Sequence, residues 1–204
     1  VYWLTYGKAP GLRMTTQNGT PSTNKVPASY SARRFLTGGK YYFTNIVDIN
    51  TQEHFFWARL RSPAYTSDPN SPKWTTTVAM AAPSTSTVLM RVSFYGANSS
   101  STINPDHHVV VKVNGVSVGD IYFDGISWYT AEIPVPAGVF SSSLADNTLE
   151  FSVPRDLGQL SDLVFIDSIE LIYNDVFAAQ NNYLAFSYAS AGTWKYRISG
   201  FNSN

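Results

Sequence analysis

Between Val88 and Gly96 hydrophobic and polar residues alternate with a period of two. Val88, Met90, Val92 and Phe94 fall on one face, and Leu89, Arg91, Ser93 and Tyr95 on the other. That is the pattern of a half-buried β-strand. Similar runs recur along the chain. His107–Val113 and the stretch from Val116 to Phe123 flank Asn114-Gly115, a pair suited to the positive φ angles of a two-residue hairpin turn. Residues 39–49, 52–60, 74–80, 127–136, 147–154 and 162–175 read as further strands. A last pair, 182–189 and 192–201, surrounds Ser190-Ala191-Gly192. No stretch reads as a helix. The spacing of the strands predicts a β-sandwich. Residues 10–40 are rich in Gly, Pro, Ser and Thr and read as a long loop or meandering edge, with Arg33 and Arg34 as a solvated pair.

Composition narrows the function classes. The 204 residues carry 14 Lys+Arg and 14 Asp+Glu, so no broad basic field is present for nucleic acid and no acidic field for a cationic partner. The chain has no cysteine, which removes disulfides, thiolate zinc sites and a cysteine nucleophile from it. No run approaches the roughly 20 apolar residues of a membrane helix. Low charge with many Tyr, Thr, Ser and Asn points to an extracellular or cell-surface setting. A start at Val1 reads as a processed product or a piece of a larger protein.

The candidate chemistry sits in and around the predicted hairpin. His107 falls in a row with Val109, Val111 and Val113, and His108 in the opposite row with Val110 and Lys112. Neighbouring strand residues point apart, so the two imidazoles do not bind one metal together. The expectation is one histidine half-buried against the core and one exposed, with no role in catalysis. Glu132 and Glu150 lie on separate strands, and nothing local makes them a glycosidase pair. By strict alternation Asp167 shares a face with Leu163, Phe165, Ile169 and Leu171. A carboxylate there needs donors or a cation. Two readings stay open: a hydrogen-bonded aspartate, or a structural calcium site completed by loop carboxylates such as Asp48, Glu53, Asp106 or Asp124. Trp128 and Tyr129 follow the turn at Asp124-Gly125, and Tyr122 lies opposite the Ile121/Phe123 face. Aromatic rings beside an aspartate suit a sugar, so Trp128, Tyr129, Asp124 and Tyr122 are the candidate ligand residues. Asn18 and Asn98 begin glycosylation sequons.

Four stretches in order carry a family likeness: Val1–Met14, Glu53–Ala64, the hairpin from His107 to Gly125, and Asn182–Phe201. Together they resemble the non-catalytic region that precedes the peptidase domain in large secreted bacterial proteins of the gingipain-type cysteine peptidase family. The resemblance spans nearly the whole chain. It implies a secreted, multidomain parent that is itself a cysteine peptidase, with this chain as an accessory β region. The stretch Thr75–Tyr173 also resembles galactose-binding-like jelly rolls, through the hairpin, residues 147–153 and residues 163–173. That second likeness implies carbohydrate binding and, at Asp167, a structural calcium.

The resulting expectation is an all-β protein: a jelly-roll sandwich flanked by N- and C-terminal strands that form a smaller second β unit. Residues 1–74 make an N-terminal β segment and long loop, 75–174 the galactose-binding-like jelly roll, and 175–204 a C-terminal hairpin placed to pair with the N-terminal strands. The expected function is a non-enzymatic accessory module that meets a glycan, a protein surface or neighbouring domains, with a carbohydrate-binding module as the alternative.

Overall fold

The computed structural model describes residues 18, 20, 22–46, 54–63, 67–69, 71–80, 86–141 and 146–202. The chain is all-β, with no helix among these residues. Eleven strands follow in order: β1 (Tyr30–Thr37), β2 (Tyr41–Tyr42), β3 (Phe55–Phe56), β4 (Ala58–Ser62), β5 (Lys73–Ala79), β6 (Val88–Gly96), β7 (His107–Val113), β8 (Val116–Phe123), β9 (Trp128–Val135), β10 (Asp146–Ser152) and β11 (Asp162–Asp175).

Strands β4 to β11 pair in a nested series: β4 with β11, β5 with β10, β6 with β9, and β7 with β8, all antiparallel. Such a nest is one long ribbon. Rolling it up adds two further pairings, β11 with β6 and β10 with β7. The product is two facing sheets, β4-β11-β6-β9 and β5-β10-β7-β8, the double-sheet arrangement of a jelly roll. Strand β4, in the stretch assigned from sequence to the N-terminal unit, pairs with β11 in the first of these sheets.

The core lies between the sheets. Val88, Met90, Val92 and Phe94 point inward from β6, as their alternation predicts, and meet Val109, Val111 and Val113 of β7 and Leu149 and Phe151 of β10. Burying each such side chain stabilises the fold by about 1.5–3 kcal/mol. Outside the first sheet a charged row crosses four strands, β9, β6, β11 and β1. Arg91 bonds Glu132 at 2.7 Å and Glu170 at 3.3 Å, and Arg33 bonds Glu170 at 3.0 Å. Arg33 and Arg34 are both exposed, as expected of a solvated pair, and Arg33 adds the ion pair to Glu170.

Smaller units flank the roll. The short β2–β3 sheet covers part of the first sheet's outer surface through an aromatic cluster of Phe56, Tyr95 and Phe165, with Phe43 and Trp128 against it. Strand β1 pairs with the second half of β11, collinear with β4 on the first half. The C-terminal stretch joins the N-terminal one. Lys195 N donates to Lys25 O at 2.9 Å, and Tyr30 packs on Phe177 and Phe186. Within this stretch the described residues make isolated bridges, Ala178 with Ser199 and Gln180 with Tyr183, in place of the continuous hairpin ladder expected for 182–201.

Candidate functional site

The four candidate ligand residues do not come together. Trp128 is half-buried on the outer face of the first sheet, with ring centroids 5.5 Å from Phe56 and 5.3 Å from Tyr95. Tyr129 points the other way, as strand alternation requires, and stacks on Phe123 at 5.0 Å. Asp124 is exposed and accepts a bond from Asn104 Nδ2 at 3.2 Å. Tyr122 lies on the outer face of the second sheet, stacked on the His108 ring at 4.2 Å.

Asp167 does not occupy the apolar row that alternation assigns to it. A β-bulge between Ile166 and Ser168 shifts the register of β11 on β6. The inward residues are Val164 and Ile166 before it and Ile169, Leu171 and Tyr173 after it, while Leu163 and Phe165 turn to the outer aromatic cluster. Asp167 is the extra residue, half-buried, and its Oδ2 accepts the Ser168 hydroxyl at 2.8 Å. The described side chains do not assemble the predicted calcium shell around Asp167. Among the described residues no three His, Asp or Glu side chains gather to hold a metal. Asp106 is spent on backbone amides, accepting from Ser100 N at 2.6 Å and Gly125 N at 2.9 Å. Asp48 and Glu53 lie outside the described residues.

Both hairpin histidines are buried, which corrects the expectation of one half-buried and one exposed. His107 continues the inward valine row of β7 to the end of the sandwich, where three loops converge. Its Nδ1 bonds Asp162 Oδ1 at 2.7 Å, and its Nε2 bonds Asn98 O at 3.0 Å. Asp162 Oδ2 also accepts from His108 N and Gln159 Nε2, both at 3.3 Å. Both His107 ring nitrogens face acceptors, so both must donate, and the ring is an imidazolium. Burial alone would lower its pKa. The Asp162 carboxylate, with Asp106 behind it, more than offsets that, and the net direction is upward. His108 repeats the arrangement on the outer face: Nδ1 bonds Asp156 at 2.8 Å, and Nε2 bonds Asp120. Its pKa is also raised, the two carboxylates outweighing burial, and that of Asp156 is lowered, first by the bond to His108. A His–Asp pair suggests a general base, but the His107 Nε2 that would take a proton is buried against the Asn98 carbonyl. These are structural clamps. Asn98 is committed as well: Nδ2 donates to Ser161 O at 2.8 Å, and Oδ1 accepts from Leu163 N at 2.6 Å.

A wider accessible concave surface lies elsewhere among the described residues. An open cleft of about 650 Å³ runs between β1 and the C-terminal stretch. One wall is Tyr30 to Arg34, five consecutive residues of β1, and the other is Tyr183 to Ser187. Met80, Tyr173, Asp175, Gln180 and Asn181 close it. Tyr30, Ala32 and Arg34 share the face of β1 that looks toward the core, and Arg34 is exposed on it. Burial and the nearby Asp175 raise the Tyr30 and Tyr173 hydroxyls, and the Arg34 charge opposes this at Tyr173. Burial raises the Asp175 carboxyl, against the Val176 N–H and Tyr30 hydroxyl that bond it. Arg34 makes no ion pair among the described residues. Sequence reading did not find this cleft. Its walls are about 150 positions apart, and no local motif marks either.

No protein-family model and no curated protein sequence matches the chain. Among solved structures it is similar to the crystal structure of dimeric latent PorU from Porphyromonas gingivalis, at 11% identity and a TM-score of 0.57, over 88% of this chain. The chain spans 16% of that protein's length, and the likeness is one of fold. Weaker similarity extends to the CBM36-1 domain of a multidomain xylanase from the hindgut metagenome of Trinervitermes trinervoides, at 20% identity and a TM-score of 0.40 over 69% of this chain and 96% of that one. A CBM36 carbohydrate-binding module in complex with calcium and xylotriose matches at 16% identity and a TM-score of 0.38, over 69% of this chain and 98% of that one.

Proposed function

We propose that the chain is a non-catalytic binding module of a larger secreted or cell-surface protein of the gingipain-type peptidase kind, and that the cleft between β1 and residues 178–187 is its binding site. One observation carries the reading. His107, His108 and the aspartates that bond them are consumed in clamps that hold loops, whereas the cleft sets tyrosine rings, amide side chains and the Arg34 guanidinium around an open concave surface. Such a mixture suits a ligand held by shape and a few oriented polar groups. The test is titration of the isotope-labelled chain with oligosaccharides and with peptides, followed through backbone amide shifts. Shifts should centre on Tyr30–Arg34 and Gln180–Ser187 and weaken in Tyr183→Ala. Shifts centred on Asp124, Trp128 and Tyr129 would move the site to that end of the sandwich. The second reading, a carbohydrate-binding module, is favoured by Tyr173 and Tyr183 lying in the cleft with Gln180 and Asn181, rings and amides of the kind that bind sugars.

A further inference from the structure

The cleft has walls of a particular kind. Lining residues usually alternate along a strand, because every second side chain points away. Here Tyr30 to Arg34 line one side without a gap, and Tyr183 to Ser187 the other. Contact with consecutive residues means that the backbone itself faces the cleft. Among the described residues strand β1 ends the sheet order and pairs only with β11, so half of its N–H and C=O groups point away from that partner. No backbone hydrogen bond outside the β11 ladder is made by Tyr30–Thr37, and none by Leu184–Ser187, among the described residues. The outer edge of β1 and the 184–187 backbone therefore border one slot, each with groups that make no backbone hydrogen bond across it among the described residues. An open strand edge is a template for another strand.

Resting on the reading of this cleft as the binding site, we infer that its ligand is an extended polypeptide segment, added as a strand to the free edge of β1 and carrying a carboxylate side chain opposite Arg34. The volume agrees. A strand residue in a packed sheet fills about 160 Å³, from a rise near 3.3 Å, a strand spacing near 4.8 Å and a sheet depth near 10 Å. The open cleft of about 650 Å³ has room for a short strand segment. The charge agrees as well. Asp175, the acid in the cleft, is bonded by Val176 N at 2.8 Å and by the Tyr30 hydroxyl, which leaves Arg34 as the charge offered to a ligand. Main-chain bonds supply sequence-tolerant affinity, and Arg34 supplies the preference for an acid, the division of labour seen in strand addition. A glycan would use the rings but lacks the repeating row of N–H and C=O groups that matches a strand edge.

The experiment selects octapeptides from a random phage-displayed library on the intact chain and on Arg34→Glu, then measures affinities of the winning synthetic peptides and amide exchange of the complexes. The wild type should enrich strand-forming peptides with a central Asp or Glu. Arg34→Glu should bind these at least tenfold more weakly and enrich Lys or Arg at the same position. Exchange should slow at alternate amides within Tyr30–Arg34. Two results overturn the inference: no enrichment on the wild type, or peptides that bind without slowing any β1 amide. If xylo- or galacto-oligosaccharides shift the cleft amides while peptides do not, the strand inference falls and the cleft remains a binding site. If neither moves them, the site assignment falls too.

Discussion

His107 is a charge placed where charge is expensive. Its ring is fully buried, and two acids surround it: Asp162 at 2.7 Å and Asp106 at 3.5 Å. Removing one partner of such a group leaves the other uncompensated, at about 3–5 kcal/mol. His107→Ala should therefore destabilise by about that amount in denaturant melts. His108 is clamped by acids that remain more than half exposed, so the pair is screened and His108→Ala should cost about 1 kcal/mol. The pH dependence follows from the raised folded pKa of both rings. Their contribution is full below the unfolded value of about 6.5 and is lost as pH rises through the folded value. Asp156, whose pKa is lowered, acts in the opposite sense: its contribution is present above about 3.9 and is lost as pH falls through its folded value. The melting temperature should hold across mildly acidic pH and decline above neutrality, and His107→Ala should flatten that decline. A melting temperature that rises from pH 6 to 9 would refute the imidazolium assignment. Sequence placed His107 on the valine row but could not show its clamp, because Asp162 lies 55 positions away.

At the scale of the element, two local features of opposite legibility shape the roll. The hairpin turn was readable because its chemistry is local. Asn114 and Gly115 have φ of 50° and 81°, and Val113 pairs with Val116 across them. A Cβ at Gly115 would meet no atom within 4 Å, so a substitution there probes backbone strain alone. Gly115→Val should cost about 1–3 kcal/mol, the range for a β-branched residue forced to positive φ, and Gly115→Asn much less. Equal costs for the two would mean that strain is not the cause. The bulge at Asp167 was not readable, because nothing in the run Leu163–Leu171 announces an extra residue. Its effect is large, since one unpaired position exchanges the faces of everything beyond it. Gly96 shows the same limit. Its Cβ would run into the Gly125 carbonyl and the His107 ring, a crowding set by loops far apart in sequence.

At the scale of the molecule the described residues form a nested ribbon rolled into two sheets, with Lys25–Tyr30 meeting the C-terminal stretch. Alternation and strand spacing reveal the sandwich, because each strand must bury one face. They do not reveal which strands share a sheet, since β4, β1 and β6 all find their partner in the single 14-residue strand β11. Nor do they reveal the cleft, which exists only where Tyr30–Arg34 meets the C-terminal stretch. The division of labour suggests a last experiment. The main core is drawn from β4 to β11 with part of the loops, and the stretch beyond Asp175 buries chiefly Phe177 and Ala179. Phe177 and Phe186 pack on Tyr30, at 5.2 and 5.6 Å, and each aromatic pair adds about 0.5–1.5 kcal/mol to the burial itself. A chain ending at Asp175 should therefore keep the sandwich and unfold cooperatively, with a loss of about 2–5 kcal/mol for the aromatic surface it exposes. The same chain loses one wall of the cleft, so peptides selected on the intact protein should no longer bind at the concentrations that saturate it. A truncated chain without cooperative unfolding would show that the roll depends on its C-terminal wrap. One that binds those peptides undiminished would show that residues 183–187 are no part of the site.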